Sequence, residues 1–218
     1  MQASSPEQFM PAQSAGEKAI LEAAVRLFSD KGFNGVSMRS VAAAAGVSKA
    51  NIYHHFESKE ALYLAILHAS AANLSMLIEN LAEHSGNFDL KITEFAADHL
   101  EHLIGNATSS RLMLREAFSG DDERSRILVD KVVGGLFERI VSIFRSGQEA
   151  GAIRSDLDPA LCATLLMGAD LFYFQAQGVL RHLPDASFAM QPGRFSSEMA
   201  DILLNGMLSK TAEEGGRS

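Results

Sequence analysis

Apolar residues recur every three or four positions along most of the chain, which is the spacing of amphipathic helices. In the first such segment they share one face, and the pattern stops at Gly32. The residues on this face are Ile20, Leu21, Ala24, Leu27 and Phe28. Neither the alternating pattern of a β-strand nor an internal repeat competes with this reading. The sequence therefore predicts an all-α protein.

Serine and glycine residues mark the ends of the next helices. Ser37 is placed to cap a second helix that ends at Gly46, and Ser48 is placed to cap a third. Ser58 opens a fourth and longer helix. We expect its buried stripe to consist of Leu62, Ile66, Leu67 and Leu74.

Further helices follow a break at "SGNFD". The pattern places them at residues 89–105, 109–119, 122–150, 158–182 and 194–210. The long helix ends at a glycine in "EAGAIRSDLDP", and the pair Asp158-Pro159 starts the helix after it.

The stretch "SMRSVAAAAGVSKANIYHHF" combines a short helix, a glycine turn and a polar helix, which is the plan of a helix-turn-helix. The small residues 42–45 would let the two helices approach closely, with Val47 and Ile52 filling the gap between them. The outward face of the third helix then carries Lys49, Ala50, Asn51, Tyr53 and His54. So polar a face suits the major groove of DNA better than a protein core.

The side chains around this helix are the types that contact DNA. Asparagine and lysine reach base edges, whereas tyrosine, histidine and serine donate to phosphate oxygens. Lys59 stands at a helix start, an unfavourable place for a cation that a phosphate partner would explain. The predicted DNA contacts are Ser37, Arg39, Ser48, Lys49, Asn51, Tyr53, His54 and Lys59.

Residues 17–64 closely resemble the DNA-binding head of the tetracycline-repressor (TetR) family of bacterial regulators. The resemblance rests on "AVRLFSDKGF" followed by "VSMRSVAAAAGVSKANIYHHFESKEAL". The positions that fit the family pattern are Tyr53, His54, Phe56, Lys59 and Leu62. Ser37 stands where the family usually has threonine, Ala50 replaces a frequent glycine, and Asn51 occupies a variable base-reading position.

The resemblance implies an N-terminal three-helix helix-turn-helix DNA-binding domain and a larger C-terminal helical ligand-binding and dimerisation domain. We expect them at residues 16–62 and 63–210, with a disordered arm at 1–15 and a flexible tail at 211–218. The resemblance also implies a homodimer, whose last two long helices form a four-helix interface. A ligand in the body would then release a near-palindromic operator in double-stranded DNA.

The distribution of charge agrees with this division. The chain has 218 residues and a net charge of −8, yet residues 1–70 hold six basic and six acidic residues. The whole net negative charge therefore lies in the body. A neutral head with basic residues around the third helix is compatible with contact to phosphates.

Composition and sequence pattern favour a cytoplasmic protein without a membrane segment. The single cysteine, Cys162, excludes an internal disulfide and fits a reducing compartment. The first residues lack the basic and apolar regions of a signal peptide. The apolar run expected to be the longest, residues 160–174, is interrupted by Asp170.

The body offers several polar residues of uncertain role. "DHLEHL" places His99 and His102 three residues apart, and either a metal site or, more simply, a solvated helix face explains them. Arg115 and Glu116 are expected at the surface; the alternative is that one of these charges faces inward and orients a polar group in an apolar cavity.

Polar residues also interrupt the apolar helix around "GADLFYFQAQGVL". Asp170, Tyr173, Gln175 and Gln177 would line either a pocket or a dimer seam, and we favour the seam for most of them. Methionines can form an adaptable pocket wall. The candidate ligand-binding residues of the body are His102, Met113, Phe118, Met167, Asp170 and Tyr173.

These observations favour a homodimeric repressor that is released from DNA by a small hydrophobic or amphipathic ligand. One alternative is a regulator without a small-molecule effector, controlled as an activator or through a protein partner. A helical metal-dependent enzyme is the weaker alternative, because the sequence has no nucleophile elbow, phosphate loop or paired metal motif. We therefore predict no enzymatic activity, no cofactor and no metal.

Overall fold

The structure is a computed structural model that describes residues 14–83 and 87–205. The predicted all-α fold is confirmed, and no strand occurs in these two ranges. The α-helices are α1 (Ala15–Lys31), α2 (Met38–Ala45), α3 (Lys49–His55), α4 (Lys59–Glu83), α5 (Phe88–Gly105), α6 (Ala107–Ala117), α7 (Asp122–Leu128), α8 (Gly134–Glu149), α9 (Pro159–Leu180) and α10 (Pro192–Asn205). A 3₁₀ turn, Ser187–Met190, precedes α10.

The predicted helix caps are confirmed. At α2 the Ser37 hydroxyl accepts from the Ser40 amide at 3.1 Å, and the Ser40 hydroxyl accepts from the Ser37 amide at 3.0 Å. At α3 the Ser48 hydroxyl accepts from the Asn51 amide at 3.1 Å. Gly46 ends α2 with a φ of 68°, a left-handed conformation that favours glycine. Local sequence therefore determines where α2 ends and α3 begins.

The head has its own core. Fully buried side chains from α1 to α4 meet there, among them Ile20, Phe28, Val41, Ile52 and Leu62. Among residues 42–45, which were expected to let two helices approach closely, Ala42 is buried and Ala45 is partly buried, whereas Ala43 and Ala44 are exposed. A helix of alanines has no chemical contrast between its faces, so its inner side cannot be told from composition.

The contacts divide the chain into one compact unit up to Leu67 and a second from His68 onward. This division falls within α4, and the domain boundary expected after residue 62 lies earlier in the same helix. Most of the predicted N-terminal arm, residues 1–13, lies outside the described residues. So do the predicted tail and the end of the last predicted helix, residues 206–218.

The segment predicted as a helix over residues 122–150 is helical from Asp122 to Glu149, but not as one uniform α-helix. A π-helical turn, Val129–Val133, separates α7 from α8, and the Gly134 amide donates to the Val129 carbonyl. A Cβ at Gly134 would lie 2.7 Å from that carbonyl oxygen, so the glycine allows the wider turn. Apolar residues keep their helical spacing through the turn, which is why periodicity did not predict it.

The second unit is built around one large apolar core. Buried side chains of α4, α5, α8, α9 and α10 form it: Ile78, Leu81, Ile92, Phe95, Ala96, Ile140, Phe144, Cys162, Ala163, Leu166 and Ala200. Cys162 is thus a buried core residue as expected. Burial, and secondarily the Asp158 carboxylate, raise the pKa of its thiol.

The longest uncharged apolar run lies in α4 and not in residues 160–174. Residues 61–78 contain no Asp, Glu, Lys or Arg, and by length and composition α4 could cross a membrane. Core helices of soluble proteins pass the same test. Leu62, Ile66 and Leu67 are buried as predicted, and Leu74 is partly buried.

Candidate nucleic-acid interface and ligand sites

Helix α3 presents a polar face to solvent. Lys49, Asn51, Tyr53 and His54 are exposed, whereas Ile52 is fully buried and fixes the rotation of the helix. The Lys49 ammonium lies 5.4 Å from the centre of the Tyr53 ring, one turn further along. These exposed side chains offer an ammonium, a carboxamide, a phenol hydroxyl and an imidazole as hydrogen-bonding groups.

The other predicted DNA contacts lie at the starts of neighbouring helices. Ser37, Arg39 and Ser48 are exposed, and both serine hydroxyls also cap their helices. Lys59 is half-buried, and its ammonium lies 4.2 Å from the centre of the Phe33 ring. This cation–π contact holds the lysine at the first turn of α4. All eight predicted residues lie within the first unit, and their role in DNA contact stays a prediction.

His99 and Asp170 form a buried pair in the body. His99 Nδ1 donates to Asp170 Oδ2 at 2.8 Å, and the two side chains are 2% and 0% exposed. The Phe95 ring stacks parallel to the imidazole. The expectation that His99 lies on a solvated helix face is therefore wrong, because its partner on α9 draws it inward.

The dimer seam expected around Asp170 is also wrong for two of its residues. Asp170 and Tyr173 are buried within a single chain, and the Tyr173 hydroxyl donates to the Ala189 carbonyl at 2.8 Å. Burial raises the pKa of both side chains, although the bond from His99 opposes the rise at Asp170. Asp170 Oδ1 and the Ser196 hydroxyl are buried without a hydrogen-bond partner in the described part of the chain.

His102 lies one turn after His99 and is half-buried. The Asn106 side-chain amide donates to its Nδ1 at 3.0 Å, which requires that nitrogen to be unprotonated. Burial, followed by the proximity of His99, lowers the pKa of His102. In the described ranges, no three His, Cys, Asp or Glu side chains are grouped to hold a metal ion.

Glu116 is buried, so the expectation that it lies at the surface is wrong. Its carboxylate accepts two hydrogen bonds from Arg124, at 2.8 Å and 2.7 Å. This bidentate pair joins α6 to α7 and provides the partner that a buried carboxylate needs. Arg115 is exposed as expected.

The remaining predicted ligand residues are dispersed. Met113 and Met167 are partly buried, and Phe118 is 73% exposed. The structure brings Asp170 and Tyr173 together on one inner face of α9, but it does not bring Phe118 into a cavity with them. A ligand-binding role for these residues stays a prediction.

A groove of about 710 Å³ lies elsewhere in the body. It is lined by the end of α4, the first turn of α5 and one face of α8, with Ile78, Leu81, Phe88 and Ile143 as its larger apolar residues. None of the six predicted ligand residues lines it. The sequence signal for it was present but weak: the small residues of α8 recur at helical spacing.

The outer face of α9 exposes a row of large apolar side chains. Leu161, Leu165, Phe172 and Val179 are 54%, 52%, 61% and 66% exposed. They are separated by four residues and then twice by seven, the spacing of a coiled-coil seam. We call these four residues the α9 seam. The polar residues of α9 did not predict this seam, but the heptad spacing of its apolar residues is visible in the sequence.

Comparison with known proteins gives a consistent result. Residues 20–66 match the family model for bacterial regulatory proteins of the tetR family. The HTH-type transcriptional regulator RutR of Escherichia coli K12 is 36% identical over 129 residues, which cover 57% of each chain. The present chain therefore matches little more than half the length of that relative.

A longer match is to the HTH-type transcriptional repressor DhaR of Mycobacterium sp. GP1. It is 30% identical over 162 residues, which cover 69% of this chain and 76% of the repressor. Among solved structures, AibR in complex with isovaleryl coenzyme A and operator DNA aligns with a TM-score of 0.67 and 23% identity, over 86% of this chain and 97% of AibR. At that identity the similarity shows the fold.

Proposed function

Because this chain belongs to the tetR family of bacterial regulatory proteins, we propose that it is a homodimeric, ligand-responsive transcriptional regulator. The observation that carries the proposal is the exposed face of α3, with Lys49, Asn51, Tyr53 and His54 on a helix fixed by Ile52. The relatives are named transcriptional regulators, which agrees with the prediction that the chain is not an enzyme.

The proposed contact places α3 in the major groove. Asn51 and Lys49 are the residues with the chemistry to read base edges, and Tyr53 and His54 have donors for phosphate oxygens. Ser37, Arg39, Ser48 and Lys59 would contact the backbone around them. Such contacts fix the register of the head and provide affinity that depends on salt.

The α9 seam supports a homodimer. The inner face of α9 already covers the core of the body, so the exposed seam is a second apolar face on the same helix. Its heptad spacing is self-complementary in a second copy of the chain. A dimer places two α3 helices about 34–36 Å apart, one turn of DNA, and therefore reads a near-palindrome.

We further propose that the regulator is a repressor released by a ligand in the cytoplasm. DhaR is named a repressor, and the AibR structure is described as a complex with an acyl-coenzyme A and operator DNA. By analogy the effector is an acyl-bearing or similarly amphipathic molecule. The ligand would change the free energy of DNA binding by the difference between its binding free energies for the two dimer states, typically about 1–3 kcal/mol.

Selection of bound sequences from random duplex DNA tests the proposal. The purified full chain is used at near-physiological salt, and bound DNA is amplified and sequenced over several rounds. Recovery of one two-fold-symmetric site is the expected result. Recovery of no sequence above the non-specific background would overturn the proposal that this head reads DNA unaided.

A further inference from the structure

We propose that the groove between α4, α5 and α8 is the effector site, and that it takes an amphipathic anion with an extended acyl chain. This inference rests on the proposed function, because it supplies the ligand of a ligand-responsive regulator. It concerns a different part of the body from the buried His99–Asp170 pair, and it involves residues of the second unit only.

The groove exists because one face of α8 carries small side chains. Ser142, Ser146, Gly147 and Ala150 follow one another at spacings of four, one and three residues. Large residues at these positions would fill the space against α4. Gly147 determines how closely Phe88 can approach α8 at one end of the groove, because a Cβ at this position would lie 2.6 Å from the Phe88 ring. The absence of that Cβ lets Phe88 lie against α8.

The inner surface of the groove is apolar and belongs to the body core. Ile78 and Leu81 of α4 are nearly fully buried, and Phe88 and Ile143 pack against the same cluster. An acyl chain lying in this groove would remove its own apolar surface from water, which is worth about 25 cal/mol per Å². The volume of about 710 Å³ lies within the range of about 300–1,000 Å³ typical of small-molecule sites.

The rim of the groove is positively charged. Lys91 and Arg139 contribute two cations, and Glu79 contributes one carboxylate. Arg139 Nη1 donates to Glu79 Oε1 at 3.0 Å in a half-exposed pair. In the part of the chain that the structure describes, Lys91 forms no ion pair. The net charge of the rim is therefore positive, although the body as a whole is acidic.

An apolar floor with the Lys91 cation at its edge selects for a chain that ends in an anion. Lys91 supplies the charge partner, and Arg139 can exchange Glu79 for the ligand because exposed ion pairs are weak, about 0–1 kcal/mol. From Arg139 to Ala150 the face of α8 extends about 16 Å, at 1.5 Å per residue. A chain of medium length fits. The anion can be the carboxylate of a free fatty acid or the phosphates of an acyl-coenzyme A.

Calorimetric titration of the full chain with four probes separates these sources. The probes are decanoate, decanoyl-coenzyme A, neutral 1-decanol and coenzyme A without an acyl chain. We expect the wild-type protein to bind decanoate or decanoyl-coenzyme A at least about tenfold more tightly than 1-decanol, which lacks the charge, and coenzyme A, which lacks the acyl chain. Binding of neither acyl anion would overturn the inference.

Two variants locate the bound ligand. Lys91→Gln should weaken binding of the acyl anion about tenfold and leave that of decanol unchanged, since only the charge is lost. Ser142→Leu should weaken both, because it fills the groove, whereas Ser142→Ala keeps the groove open and should bind like wild type. The charge control is Arg145→Gln, an exposed residue of α8 that does not line the groove.

Equal affinity of the acyl anion for Lys91→Gln, Ser142→Leu and Arg145→Gln would place the ligand elsewhere and overturn the inference. If the Ser142→Leu variant sedimented differently from the wild-type protein but bound the ligand with the same affinity, the groove would be an interface with a second copy of the chain. That result would also overturn the inference. Unfolding midpoints of all variants exclude loss of folding as the cause. DNA affinity without ligand is measured separately, so failure of this inference leaves the proposed DNA-binding function standing.

Discussion

His99 on α5 and Asp170 on α9, 71 residues apart, meet at 2.8 Å in a position where neither side chain reaches solvent. One carboxylate oxygen is hydrogen-bonded to the imidazole, and the other has no hydrogen-bond partner among the described residues. A buried pair of this kind joins two helices that are distant in sequence. It contributes little net stability while intact, but removing one partner leaves the other unsatisfied.

We therefore expect Asp170→Ala to destabilise the protein by roughly 3–5 kcal/mol, because His99 would lose its acceptor inside the core. Asp170→Asn retains the shape and one acceptor oxygen, and should cost about 1–2 kcal/mol. Urea unfolding followed by circular dichroism measures both. Asp98→Ala, at an exposed position of α5, is the control. If Asp170→Ala unfolded at the same urea concentration as Asp98→Ala, the pair would have no structural role.

The lowered pKa of His102 predicts that stability depends on pH. Its ordinary pKa is 6.5, and burial and His99 lower it in the fold, so the unfolded chain binds a proton first as the pH falls. Stability should accordingly be complete above pH 6.5 and decrease as the pH falls toward the folded-state pKa. His102→Gln should make this decrease smaller, as measured by urea midpoints between pH 7 and pH 5. His182→Gln, at an exposed histidine, should change nothing; an equal effect of both substitutions would contradict the prediction.

The sequence was sufficient to predict features that depend on neighbouring residues. Ser37, Gly46 and Ser48 determine their helix ends through contacts within four residues, so residue type and spacing predict them. The exposed face of α3 is similarly predictable, because Ile52 is the apolar residue around which the polar ones are arranged.

Features that depend on distant partners were not predictable from local pattern. Histidine and glutamate are residue types usually found at the surface. The burial of His99 and Glu116 is explained by their partners on other helices, Asp170 and Arg124. The π-helical turn before Gly134 leaves the apolar spacing unchanged. The groove depends on which small residues of α8 happen to face α4, which becomes known only when the helices are packed.

The position of Lys59 predicts a contact with phosphate and not with bases. Its ammonium is held 4.2 Å from the centre of the Phe33 ring at the first turn of α4. Lys59→Ala should weaken binding to all DNA sequences alike and reduce the slope of log affinity against log salt by about one unit. Fluorescence anisotropy with operator and unrelated duplexes at several salt concentrations measures this. The same change at Lys131, exposed in the body, is the control, and a loss confined to the operator would contradict a phosphate role.

Asn51 is the strongest candidate for a base contact, since its side chain is exposed while its amide N–H is bonded to the cap at Ser48. Asn51→Ala should change the preference among operator variants by about 1–3 kcal/mol at one base pair of each half-site. Repeating the selection experiment with the variant measures the altered preference. An equal loss of affinity for unrelated DNA would show that Asn51 contacts the backbone instead.

The α9 seam predicts how the chain dimerises. Leu165 is 52% exposed at the middle of the seam, so in a dimer an aspartate there would place a charge in an apolar interface. Leu165→Asp should shift the protein from dimer to monomer in sedimentation velocity experiments, with at least about a hundredfold increase in the dissociation constant.

Leu90→Asp is the matched control, because Leu90 is 51% exposed on α5 and lies outside the seam. Since a monomer holds only one α3 helix, Leu165→Asp should also lose preference for a two-fold-symmetric site over a single half-site. A dimer that persists in Leu165→Asp but dissociates in Leu90→Asp would assign the interface to α5 and contradict the proposed seam.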